Sequence, residues 1–242
     1  MTGQLEPVPA DWQRALAVVA HPDDLEYGAV SAIAAWTRAG KRVVYLLVTR
    51  GEAGIDGIPP AESARIRETE QRRSAEIAGA SAVEFLDHPD GVIEYGISLR
   101  RDIAAGIRRH RPELLLTGNF HDTWGGTFWN SPDHRAVGRA ALDAVTDAGN
   151  RWIFPDLVHE GLSPWSGVRY VAVAGSPHPT HAVDVTDTLS VGVEALRAHR
   201  AYLEGLGHHP MADPQRFLES MAASLAPRFG GRMATGFQLY TF

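Results

Sequence analysis

Short apolar runs separated by longer stretches with helical spacing leave few folds open to this sequence. Residues 16–20, 43–48, 83–86, 114–117 and 170–174 each read as a buried strand, and 183–185 as a further short one. Between them, 29–39 carries Ala, Ile and Trp at helical spacing and stops at Gly40, and 62–78 is rich in Arg, Glu and Ala and stops at Gly79. Helices are also expected over 98–109, 134–146 and, as one long amphipathic segment, 188–203. Strand and helix alternating in this way imply an α/β fold: a Rossmann-like three-layer sandwich with a mostly parallel sheet covered on both faces. No repeat or linker-like composition breaks the pattern, so residues 1–242 are expected to form a single domain, with 119–132 and 205–231 rich in loops.

Composition narrows the function classes. The net charge of -6 and the scattered Lys and Arg give no electrostatic footprint for nucleic acid. With no cysteine, any metal must be held by His, Asp or Glu. Residues 1–12, containing Glu6 and Asp11, lack the basic and apolar regions of a signal peptide, and no stretch is long and apolar enough to span a bilayer. The expectation is a cytoplasmic protein with no stable membrane insertion, and the sequence leaves its oligomeric state open.

Chemistry-bearing residues gather just past two strands. Ala20-His21-Pro22-Asp23-Asp24-Leu25-Glu26 sets an imidazole and two adjacent carboxylates beyond the C-terminal end of the first strand, where open parallel sheets form their active sites. On its own, the segment also admits a structural reading in which an aspartate caps the following helix. Ser131-Pro132-Asp133-His134 opens a helix after the strand at 114–117 and brings a second imidazole to the same sheet edge. Two His and one carboxylate make a three-ligand zinc set that keeps a position for water. His21, Asp24 and His134 are the candidate ligands, and Asp23 is left free to accept a proton.

His21-Pro22-Asp23-Asp24 followed by Pro132-Asp133-His134 resembles the PIG-L (LmbE-like) family of N-deacetylases. The likeness extends to Thr49-Arg50-Gly51-Glu52-Ala53-Gly54 after the second strand, to Arg67, Glu70, Ala75 and Gly79, to Asp90-Gly91, and to Val183-Asp184-Val185-Thr186 with His199. The resemblance implies zinc on His21, Asp24 and His134, Asp23 as general base, and Glu52, Arg67 and Asp90 along the substrate pocket. It also implies hydrolysis of the N-acyl, expected N-acetyl, amide of a small-molecule amino sugar conjugate or related compound. Arg67 and Glu70 equally suit an exposed helical ion pair.

The chain departs from the family where many relatives have a histidine and some a tyrosine: here stand Ser131 and Trp129, which offer no imidazole or phenol. Asp133, the support of that imidazole, then needs another role. His121, His159, His178 and His181 are the candidate replacements. Phe120, Trp124, Phe128 and Trp129 interleave with Gly125-Gly126 in a loop suited either to stacking on sugar rings or to packing. Two alternatives accompany the deacetylase expectation. One is a catalytically altered homologue that binds a metal or ligand; the other is a metal-dependent phosphoesterase, which needs a second carboxylate cluster, for which Asp122 is the candidate.

Overall fold

The computed structural model describes residues 3–242. The strands are β1 (Glu6–Pro7), β2 (Arg14–Val19), β3 (Arg42–Leu47), β4 (Ala82–Phe85), β5 (Leu114–Gly118), β6 (Tyr170–Ala174), β7 (His181–Asp184) and β8 (Ala234–Thr241). They form one sheet in the order β1-β7-β8-β6-β5-β2-β3-β4. From β4 through β3, β2 and β5 to β6 the strands are parallel, while β8 runs antiparallel between β6 and β7. Period-two alternation builds two cores. Ala15, Ala17 and Val19 of β2 face one layer, and Leu16, Val18 and Ala20 face the other.

The first layer is covered by α2 (Val30–Arg38), α3 (Pro60–Ile77), α7 (Leu189–Arg197) and α9 (Pro214–Leu225), which contribute Ile33, Ala75, Ala195 and Ala222 to its core. The second is covered by α4 (Ile97–His110) and α5 (Pro132–Gly149), through Leu99, Ile103, Val137 and Ala141. Short helices α1 (Asp24–Gly28), α6 (Pro155–His159) and α8 (Arg200–Gly205) complete the set. Chain order along the parallel part reverses between β2 and β5, so the loops leaving these two strands diverge and open a crevice at their C-terminal ends. His21–Asp24 and the segment leading to His134 are the walls of that crevice.

Three expectations are revised. The helix expected over 188–203 is two helices, α7 and α8, broken at Ala198 and His199. The cause is tertiary: the fully buried His199 imidazole turns inward, its Nε2 3.5 Å from Glu26 Oε2. The stretch 205–231 contains a real helix, α9, started by Pro214 at its first turn and by Asp213, whose carboxylate accepts the Arg216 N–H. The last strand, β8, was not expected, although the alternation across Phe237, Gln238 and Leu239 is the pattern of a strand.

The Glu26–His199 pair is wholly buried, and loss of one partner strands the other in the core. His199→Ala is therefore expected to cost about 3–5 kcal/mol in urea unfolding. Burial opposes both charges. Even so, Glu26 lifts His199 above the usual histidine range, while His199, Ser74 and Gln71 hold Glu26 below the usual carboxylate range. The raised imidazole contributes stability below the unfolded histidine value of about 6.5 and loses it as pH rises through the folded value; the depressed carboxyl contributes above about 4.3 and loses it on acidification. The destabilisation should be largest between those values, and a pH-independent difference between wild type and variant would contradict this.

Candidate metal and active site

The turn after β2 is held in an unusual backbone conformation. Asp23 has φ 89°, in the left-handed region that Asp tolerates better than most residues. Its N–H donates to Gln71 Oε1 at 3.0 Å, and Gln71 Nε2 donates in turn to Glu26 Oε1 at 2.9 Å. Asp23 caps nothing. Its carboxylate instead accepts from Arg67 Nη2 at 2.9 Å, and Arg67 also bonds the carbonyls of Pro22 and Gly51. Arg67 is thus no exposed ion-pair partner of Glu70: it is buried, lies 4.5 Å over the Tyr202 ring, and leaves Glu70 to accept the Ala201 N–H. Gly51, at φ 66°, is required there, because any Cβ would overlap the guanidinium. Burial pushes the Asp23 carboxyl up to about 6, against the pull of Arg67.

Asp24 turns the other way. Its Oδ2 accepts the His21 N–H at 2.9 Å, and its Oδ1 lies 3.0 Å from His134 Nε2. His21 Nδ1 is 3.3 Å from His134 Nε2 and 3.6 Å from Asp24 Oδ2. The outer partners fix which nitrogens point inward. His134 Nδ1 faces the Asn130 side-chain carbonyl at 2.9 Å, and His21 Nε2 faces Asp90 Oδ1 at 3.0 Å and Asp133 Oδ2 at 3.2 Å, so these outer nitrogens carry hydrogens. Two imidazole lone pairs and a carboxylate then converge, an arrangement that needs positive charge among them. A proton on His21 is one solution: Asp24, Asp133 and Asp90 overcome burial and lift His21 well above the usual histidine range. A divalent cation is the other. The three donors lie within 4.8 Å of one another, matching a two-His, one-carboxylate metal set. Asp24 correspondingly sits well below its usual value, since His134 and His21 outweigh burial.

The remaining residues singled out in the sequence fall into supporting positions. Asp133 accepts the Gly91 and Ile93 N–H groups at 2.7 and 3.1 Å, fastening that loop beneath His21. Asp90 Oδ2 accepts the Ala53 N–H at 2.8 Å. Glu52 does not face the cavity as expected: its oxygens accept the Asp90 and Arg50 N–H groups, stitching two loops together. Ser131 caps α5, its hydroxyl accepting from Asp133 N–H at 3.1 Å and His134 N–H at 3.3 Å. Trp129 lies outward, 4.9 Å beneath the Arg135 guanidinium. Asp122, the carboxylate on which the phosphoesterase alternative relied, pairs with Arg135 at the surface, while Asp90 and Asp133 converge on His21 as a second group of donors whose oxygens also accept the Ala53, Gly91 and Ile93 N–H groups.

The cluster opens into a cavity of about 1010 Å³. Asp23, Arg67 and Asp90 line it beside the donor set. Trp124 and Phe128 reach into it from a hairpin closed by the Thr123–Trp129 bridge and turned at Gly125 and Gly126, with φ 121° and 56°. Trp124 stands edge-on to His134, ring centroids 5.5 Å apart. His121, His159, His178 and His181 are not in the lining. His121 is bonded to Gln238 Oε1 at 2.7 Å, with His178 edge-on against it. The lining imidazole that sequence reasoning left in a surface loop is His209, joined by Tyr27 and Tyr202, two residues without any local sequence signal.

With this geometry in hand, three relatives place the chain. It is 35% identical over 197 residues to a diacetylchitobiose deacetylase of Thermococcus kodakarensis, covering 79% of this chain and 70% of that one. It is 30% identical over 204 residues to a 1D-myo-inositol 2-acetamido-2-deoxy-alpha-D-glucopyranoside deacetylase of Kineococcus radiotolerans, covering 69% of this chain and 53% of the relative. The solved N,N'-diacetylchitobiose deacetylase of Pyrococcus horikoshii superposes with a TM-score of 0.85 at 24% identity over 96% of this chain and 85% of that one, and so shares the fold. The family model described as GlcNAc-PI de-N-acetylase matches residues 16–145, from β2 to α5, and the chain belongs to that family, PIG-L.

Proposed function

We propose that the protein is a zinc-dependent N-deacetylase that hydrolyses the N-acetyl amide of an amino sugar conjugate. The observation that carries this reading is the meeting, in one cavity, of a His21–Asp24–His134 donor set with a separate buried carboxylate, Asp23, that takes no part in the set. The deacetylase relatives supply the bond to be cleaved. A divalent cation held by His21, Asp24 and His134 would supply Lewis-acid chemistry, polarising the amide carbonyl and making water nucleophilic near neutral pH.

The protein's own groups handle the proton. Asp23 accepts it from the attacking water and returns it to the nitrogen as the C–N bond breaks, so that water and amide become acetate and amine. A carboxyl pushed up to about 6 suits both halves of that transfer, because neither form is far from its stable range at neutral pH. Arg67 fixes the carboxylate's direction through its bond to Oδ2. This assignment lets the chain work with Ser131 as a helix cap, since no imidazole at that position is called on. Trp124, against His134, offers a flat apolar wall to the acetyl group or sugar ring.

Metal content and acetate release from N-acetylglucosamine conjugates test the roles. Asp23→Asn, which keeps an αL-tolerant side chain, is expected to retain near-stoichiometric zinc and lose about 10²–10⁴ in turnover. His134→Ala should lose the metal. Unchanged turnover in Asp23→Asn would contradict the assignment. Asp24, Asp133 and Asp90 outweigh burial and raise His21 above the usual histidine range, so zinc competes with a proton there, affinity should rise with pH and binding should release protons. Calorimetry at pH 7 in two buffers of different ionisation enthalpy reads this directly, and identical heats would count against it.

A further inference from the structure

A helix that covers a sheet is expected to bury an apolar stripe, and α3 does not. Its buried residues are Ser63, Arg67, Gln71, Ser74 and Ala75, four of them polar or charged. Such a face is costly unless its groups find partners. Here the partners lie in the turns after β2 and β3 and in α1. Ser63 and Arg67 donate to the Gly51 carbonyl at 3.3 and 3.0 Å, and Ser74 donates to Glu26 Oε1 at 2.6 Å.

Gln71 sits in the middle of this face. Its Oε1 accepts the Asp23 N–H at 3.0 Å, and its Nε2 donates to Glu26 Oε1 at 2.9 Å. These partners fix which way the amide faces, because a backbone N–H needs an acceptor and a carboxylate needs a donor. One turn earlier on the helix, Arg67 donates to the Pro22 carbonyl and to Asp23 Oδ2. The Pro22–Asp23 peptide is thus clamped from both sides by α3, its carbonyl by Arg67 and its N–H by Gln71. The residue it leads into has φ 89°, a conformation that a non-glycine residue keeps only where its surroundings over-determine it. Gln71 is 1% exposed and does not line the cavity, so it meets neither substrate nor cation directly.

We propose that Gln71 is a positioning residue: by accepting the Asp23 N–H it locks the left-handed turn and keeps the Asp23 carboxylate on Arg67, apart from His21, Asp24 and His134. The kinetic consequence rests on the deacetylase reading above, in which Asp23 carries the proton. Without the acceptor a buried N–H is left unpartnered. The peptide then turns about its remaining contact with Arg67 toward an ordinary backbone region, and the carboxylate moves with it.

The test compares wild type with Gln71→Met and with Gln71→Asn, a polar variant one methylene shorter that serves if the apolar side chain folds poorly, all at the same zinc content. Crystal structures read the Asp23 φ and the distance from Asp23 Oδ2 to Arg67 Nη2 with no substrate present. The variants are expected to lose the positive φ or the Arg67 contact. In acetate release from methyl 2-acetamido-2-deoxy-β-D-glucopyranoside, kcat should fall about 10–100-fold while KM stays within about twofold of wild type. Adding Gln71→Met to Asp23→Asn should cost nothing further, since the effect passes through that carboxylate; a general packing defect would instead lower turnover equally in both backgrounds. An unmoved Asp23 in the variants, an unchanged kcat, or an equal loss in the Asp23→Asn background overturns the proposal. Wild type that releases no acetate ends the deacetylase reading alone, and the position of Asp23 in the variant structures then decides the role of Gln71.

Discussion

Two imidazole nitrogens 3.3 Å apart and flanked by a carboxylate need positive charge among them, as a proton on one ring or as a divalent cation. That requirement organises the crevice. It explains why both outer nitrogens are tied to acceptors, His134 to Asn130 and His21 to Asp90 and Asp133, since each tie aims the other nitrogen inward. It also explains the division of labour between adjacent aspartates. Asp24 closes on the donor set, while the left-handed backbone at Asp23 swings the neighbouring carboxylate to Arg67.

Keeping Asp23 there is costly, and the structure supports it from behind. Gln71 receives the Asp23 N–H, Glu26 holds Gln71, and His199 and Ser74 stabilise Glu26. The buried polar chain therefore runs from α3 and the α7–α8 break to the backbone of Asp23. Such chains are weak contributors to net stability but strong determinants of geometry, because a half-satisfied member leaves a buried charge unpaired.

Much of the frame was legible in the sequence because its causes are local. The apolar runs from 16–20 to 170–174 became strands of one mostly parallel sheet, and the His21-Pro22-Asp23-Asp24 and Pro132-Asp133-His134 segments lie where a switch-point argument puts them. What was not legible has long-range causes. Nothing near His199 announces that Glu26, far away in sequence, will break its helix. Nothing near Glu52 or Ser131 shows that backbone N–H groups will claim their oxygens. Arg67 spaced three from Glu70 looks like a solvated pair until α3 is packed against the β2 turn. Likewise, α9 joins the cavity lining through long-range packing, Leu218 against Val193 and Leu196 of α7, which no local pattern announces.

The most direct test of the account is zinc K-edge X-ray absorption on the protein loaded with one zinc per chain. The account expects a first shell of two imidazole nitrogens at about 2.0–2.1 Å and oxygen from one carboxylate and solvent at about 2.0–2.2 Å. Loss of imidazole scattering in His134→Ala and its retention in Asp23→Asn would match the separation of ligand from base. A first shell of oxygen alone, or one altered by Asp23→Asn but not by His134→Ala, would contradict it.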